Sequence, residues 1–190
     1  MVITSIDEHR KILLVEGLIS NGMVEYESLT GRLRKVAPRS TVQLMDGEKI
    51  LGYDHVLFAV LNALNARQRG RTISGDIALE ILVYTSAQRQ IRRALSEIGL
   101  KPESRNIILV AVSDSVEELE NIRREVGQIE GLRIDSSFIE SWREDKLEVV
   151  KRTFEISDSE LEAIRIADTS KRHVAEKLVI ERMALLSVNV

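Results

Sequence analysis

Apolar and polar positions change rhythm several times along the chain, and each change marks an element. Lys11-Ile12-Leu13-Leu14-Val15-Glu16-Gly17-Leu18-Ile19 is β-branched and almost continuously apolar, which predicts a strand closed by Ser20-Asn21-Gly22. Tyr26 to Val36 reads as a short basic helix stopped at Pro38. Thr41 to Met45 alternates loosely up to the turn dipeptide Asp46-Gly47 and predicts a second strand. From Asp54 the period becomes helical. Val56, Leu57, Val60, Leu61 and Leu64 draw one apolar stripe, with Asp54 where an N-cap would sit and Gly70 as the stop. Further helices are predicted from Ser74 or Gly75 to about Tyr84, and from Gln88 to Ile98, closed by Gly99 with Pro102 beyond.

Asn106 to Val112 is the most buried-looking strand. After it, Ser115 with Glu118 three residues later is a capping-box signature for a helix running to about Val126. Gly131 to Ser137 is open to two readings, a strand with Arg133 and Asp135 outward or a loop. Ser137 to Phe154 is helix-like and mixed in charge, and Asp158 to Ile166 and Lys171 to Leu186 complete the chain as two more helices. No repeat, low-complexity tract or Pro/Gly linker divides the sequence, so a single α+β domain over residues 1–190 is expected, with a small sheet covered by helices.

Composition narrows the chemistry. The 190 residues are 44% hydrophobic and 30% charged, which is ordinary for a globular protein. The absence of cysteine excludes disulfides, thiolate zinc sites, iron–sulfur clusters and a cysteine nucleophile. His9, His55 and His173 are too scattered for a helical metal pair, so no metal is expected. Residues 1–11 lack an apolar signal region, and the longest apolar run, Ile107 to Val112, is far too short to span a membrane. The expectation is a soluble cytoplasmic protein without a membrane partner. Aromatic residues at 4% argue against a base-stacking sheet, and a net charge of −3 argues against a protein that coats nucleic acid.

No Gly-rich phosphate loop, G-x-S-x-G elbow, H-E-x-x-H or EF-hand loop occurs, so no catalytic residue, cofactor or small-molecule substrate is expected. What stands out is the base type between residues 50 and 100, where every positive charge is an arginine. From Arg67 to Arg93 there are six arginines against Asp76 and Glu80, a local net of +4 on a body that carries −7 elsewhere. Guanidinium groups bind phosphate bidentately and stack on bases. The competing reading is that these arginines pair with neighbouring acids and neutralise helix C-termini. The last helix is also unusual. Leu178, Val179, Ile180, Met183, Ala184, Leu185 and Leu186 point in nearly every direction, so the helix either lies deep in the domain or gives one side to the core and another to a partner. A small enzyme using Glu80, His55 or Tyr84 is the remaining alternative, although His55 at a helix start and Tyr84 near a helix end have structural explanations.

Three stretches carry a resemblance. They are His55-Val-Leu-Phe-Ala-Val-Leu-Asn-Ala-Leu, then Arg69-Gly-Arg-Thr-Ile-Ser, then Leu79-Glu-Ile-Leu-Val-Tyr-Thr-Ser-Ala-Gln-Arg-Gln-Ile91. Together they resemble the signature of the small KEOPS/EKC complex subunit, the family of TPRKB, the binding protein of the kinase PRPK. The ending Glu181-Arg182-Met183-Ala184-Leu185-Leu186 is similar to the same family's C-terminus. Departures are Thr72 for a common asparagine, Asp76 for the second serine of a Ser-x-Ser, and Ala87 for the glycine before Arg-Gln. The resemblance implies a two-layer α/β sandwich whose small, mostly antiparallel sheet is covered by several helices, without activity of its own. It also implies binding to the atypical kinase/ATPase subunit of KEOPS and, in archaeal members, recruitment of tRNA through its 3′ CCA end for threonylcarbamoyladenosine formation. On that basis Arg67, Arg69, Arg71, Arg89 and Arg92 would contact the tRNA acceptor end, with Ser74 and Gln88 as polar contacts to unpaired bases. Ile180, Met183 and Ala184 would face the kinase. The alternative is a pure protein-interaction module of the kinase, in which the arginines only pair internally.

Overall fold

The computed structural model describes residues 2–142, 144–164 and 170–188. The chain folds as two compact units, each built from two separate stretches: the chain up to Gly47 with Gly99–Phe138, and Glu48–Ile98 with Ile139 onward.

The first unit holds an antiparallel sheet. Its strands are β1 (Val2–Ile6), β2 (Lys11–Ser20), β3 (Thr41–Asp46), β4 (Asn106–Ser113) and β5 (Leu132–Ile134), in the order β1-β2-β4-β3, with β5 also paired to β2. Leu14 lies opposite Ala111, Leu18 opposite Ile107, and Leu44 opposite Leu109. The period of two puts Leu14, Leu18, Val42, Leu44, Ile107 and Leu109 into one core with Leu29 and Leu33 of α1 (Tyr26–Val36) and Leu119, Ile122 and Val126 of α5 (Val116–Val126). The alternate residues Leu13, Val15, Ile108 and Val110 are also fully buried, so the middles of β2 and β4 are covered on both faces instead of alternating. The expected α+β class is thus observed, and the stretch left open between strand and loop is a strand over Leu132–Ile134. At α5 only half of the capping box forms. Ser115 Oγ accepts the Glu118 amide at 3.3 Å, while the Glu118 carboxylate turns away to Ser40 Oγ at 2.6 Å and Arg39 Nε at 2.9 Å.

In the second unit α2 (Tyr53–Gln68) packs on α3 (Ile77–Thr85) and α9 (Lys171–Val188), accompanied by α4 (Ile91–Ile98), α7 (Glu144–Phe154) and α8 (Asp158–Ile164). α9 runs alongside α2 in the same direction: Arg172 Nε donates to the Leu51 carbonyl (3.0 Å) at one end, and Ser187 Oγ meets Asn62 Oδ1 (3.5 Å) near the other. The expected Asp54 cap is corrected. The helix begins at Tyr53 after Gly52, and the Tyr53 amide donates to Glu140 Oε1 at 2.7 Å, itself held by Arg172. A β-carbon on Gly52 would lie 2.6 Å from Arg172 Nη2 and 2.7 Å from Glu176 Oε1, so a side chain at the capping position would have to displace the ends of these two side chains. Burial would raise the Glu140 carboxyl, yet the Tyr53 amide and the Arg172 guanidinium hold it below the ordinary carboxylate range. The helix expected from Ser137 to Phe154 is two helices, α6 (Ser137–Glu140) and α7, with Ser141 and Trp142 non-helical. The end of the helix expected to reach Ile166 lies outside the described residues.

Candidate nucleic-acid interface

The arginine segment is built from two helix terminators of the same design. At the end of α2, Gly70 takes a left-handed φ of 64°, its amide donates to the Arg67 carbonyl (3.1 Å), and the Arg71 amide reaches back to Ala66 (2.9 Å). This Schellman motif places Arg67 in the last turn, Arg69 at the cap and Arg71 just beyond it, all exposed. At the end of α3, Ala87 adopts φ 50°, with its amide on the Tyr84 carbonyl (2.9 Å) and the Gln88 amide on Val83 (3.3 Å). Ala87 therefore stands in the left-handed position that suits the glycine it replaces in the family pattern.

Between these ends, residues 72–76 are fixed from behind. Asp76 caps α3, its Oδ1 accepting the amides of Ala78 (2.7 Å) and Leu79 (3.2 Å). Its charge is thus spent on the helix start. The Glu80 carboxylate, fully buried, accepts the amides of Ile73 (3.0 Å) and Ser74 (2.6 Å).

The guanidinium groups of Arg67, Arg69, Arg71 and Arg92 make no hydrogen bond or ion pair with any described residue. Arg93 pairs with Glu155 instead, and Arg89 directs Nη1 toward the Leu186 carbonyl (3.5 Å). Arg69 and Arg71 come together with Ala184 on a cleft of about 200 Å³, which also takes in Asn62, Asn65, Tyr84 and Ser187. Its floor is polar, with the Tyr84 hydroxyl 3.3 Å from Ser187 Oγ. Arg67 and Arg92 are exposed but do not line this cleft. Asn62, Asn65 and Ser187 carry no sequence motif of their own; the available signal is two asparagines three apart in the otherwise apolar stretch from Val56 to Ala66. The cleft of about 510 Å³ in the first unit, around Met23, Leu29 and Pro102, has one arginine, and Arg32 is already paired with Glu125 at 2.7 Å.

Two polar contacts are placed differently from expectation. Ser74 is buried, its hydroxyl accepting the Asp76 amide (3.1 Å) and donating to the Asp76 carbonyl (3.2 Å), so it shapes the loop and does not face solvent. Gln88 is half-buried, and α4 starts at Ile91, not at Gln88. On α9, Met183 is fully buried and is corrected to core: it lies on the stripe with Val179 and Leu186 that closes the second unit. Ile180 is half-buried and Ala184 exposed, and the apolar surface extends to Leu185 and Val188, at 50% and 73% exposure.

His55 is sealed in the core. The Leu51 amide donates to Nδ1 (3.3 Å), which makes Nε2 the protonated nitrogen, donating to the Thr85 carbonyl (2.9 Å), and Phe154 meets the ring edge-on at 5.5 Å. Burial pushes its pKa down to about 4, with Lys146 adding to the fall and the Thr85 carbonyl opposing it. Glu80, His55 and Tyr84 therefore each have a structural task. Among the described residues no cluster of His, Asp or Glu could hold a metal ion, and no helix is long and apolar enough to cross a membrane.

Fold and site together define the class: an α+β protein with a cationic cleft and an exposed apolar strip along one helix. The chain belongs to the kinase-binding protein CGI-121 family, whose model matches residues 20–187. It is 25% identical over 118 residues to the EKC/KEOPS complex subunit cgi121 of Schizosaccharomyces pombe, covering 62% of this chain and 68% of that protein. It is 31% identical over 114 residues to the regulatory protein Cgi121 of Methanocaldococcus jannaschii, covering 60% of this chain and 70% of that one.

Proposed function

We propose that this protein is a non-catalytic, cytoplasmic subunit of a KEOPS-type complex that binds the atypical kinase/ATPase and recruits tRNA through its 3′ CCA end. The observation that carries the RNA part is the set of exposed guanidinium groups at Arg67, Arg69, Arg71 and Arg92, which pair with no described residue although the chain is rich in acids. Exposed arginines beside a narrow polar cleft suit phosphates and one unstacked nucleotide, and such a site needs few aromatic residues. The kinase part draws on the family's name and on the apolar strip of Ala184, Leu185 and Val188.

The test is a gel shift with intact tRNA and with tRNA trimmed of CCA. Intact tRNA should bind and trimmed tRNA should not; equal binding removes the CCA role. Arg69→Glu with Arg92→Glu should abolish the shift while co-elution with the kinase persists. An unchanged shift would leave the pure protein-interaction module as the reading.

A further inference from the structure

The connection between α2 and α3 is pinned at three points, and only one of them lies outside the helix ends. The Schellman turn at Gly70 fixes the start and the Asp76 cap fixes the finish. Each belongs to its own helix and would survive without the other. The middle is held from α3 by Glu80, its two carboxylate oxygens taking one amide each from Ile73 and Ser74, while the Ser74 hydroxyl ties the loop locally to the Asp76 backbone. A fully buried carboxylate is costly unless its lone pairs are satisfied, and here backbone amides satisfy them where a cation ordinarily would. No salt bridge to Glu80 is formed among the described residues. The result is a carboxylate that fixes the path of the chain at Ile73 and Ser74, just after Arg71.

We infer that Glu80 is the positioning residue of the cationic site: by clamping the Ile73 and Ser74 amides it fixes the direction in which the chain leaves Arg71, and so keeps Arg71 in the arrangement that meets the RNA phosphate. This rests on the RNA reading proposed above. Pre-set geometry raises affinity because the loop need not be ordered on binding.

Simple electrostatics and positioning predict opposite signs for Glu80→Gln. Removing a formal negative charge beside an arginine site should tighten RNA binding, whereas loss of one amide acceptor should weaken it. The full-length variant is expected to bind tRNA about fivefold more weakly, and its effect should be non-additive with Arg71→Ala but additive with Arg92→Ala. Amide hydrogen exchange in the free protein should quicken at Ile73 and Ser74 and stay slow at Ala78 and Leu79, whose acceptor is Asp76. Glu80→Asp keeps the charge and withdraws it from the loop, so it should weaken binding to the same degree, and it serves if the glutamine variant does not fold. Unchanged or tighter binding in both variants overturns the inference, as does strict additivity with Arg71→Ala. If Arg71→Ala leaves tRNA binding untouched while Arg69→Glu with Arg92→Glu abolishes it, the role of Glu80 falls and the RNA reading stands; if neither weakens binding, the RNA reading falls, and the role of Glu80 with it.

Discussion

A single buried imidazole gives the fold a defined response to acid. His55 titrates near 4 when folded, against an ordinary value of 6.5. Above about pH 6.5 neither the folded nor the unfolded state takes up this proton, so stability is independent of it. As the pH falls from 6.5 toward 4 the unfolded chain binds a proton that the folded core refuses, and stability is lost. Below about 4 both states bind it and the slope from this residue ends. The full loss is roughly 3 kcal/mol. His55→Gln removes the titration, so the stability gap between wild type and variant in urea unfolding should be widest at pH 7 and narrow toward pH 4. A gap that does not change with pH would mean that the core accepts the charged ring.

α9 must be read by its faces. Met183 has no exposed surface, so Met183→Ala should destabilise the second unit by about 2–5 kcal/mol, as cavity formation does in other cores. Leu185→Glu, on the half-exposed side, should leave the circular-dichroism spectrum and the melting temperature near wild type and abolish co-elution with the kinase. Co-elution that survives would move the kinase-facing surface off this helix. The sequence pattern could not separate these faces, because apolar residues surround the axis on nearly every side. Which ones are covered depends on α2, which lies over a hundred residues away in the chain. Elements with local signals were legible: α1 occupies Tyr26–Val36 as expected, and Gly70 stops α2 through its own left-handed turn. β1 was missed because Val2–Ile6 is short and has one strand neighbour, β2. The arginines were legible by composition, whereas the inward turn of Ser74 and the grip of Glu80 were not, since both depend on backbone amides that carry no residue signature.

At the scale of the whole molecule, charge decides how far the RNA attraction reaches. A body of net −3 repels a polyanion at distance, so binding can come only from the local +4 segment, within about 10 Å at 0.1 M salt. The four guanidinium groups of this segment that pair with no described residue set an upper bound on the phosphates it neutralises. The logarithm of the tRNA affinity should then fall against the logarithm of salt concentration with a slope no steeper than about −3, given roughly 0.7 per single-strand phosphate. Arg92→Ala should flatten that slope by about 0.7. Arg93→Ala should leave it where it was, because that side chain is already committed to Glu155. Filter binding from 50 to 300 mM salt measures all three proteins together. Equal flattening by both variants would mean that the pairing of Arg93 opens on binding, and a slope far steeper than −3 would require phosphate contacts well beyond the arginine cleft.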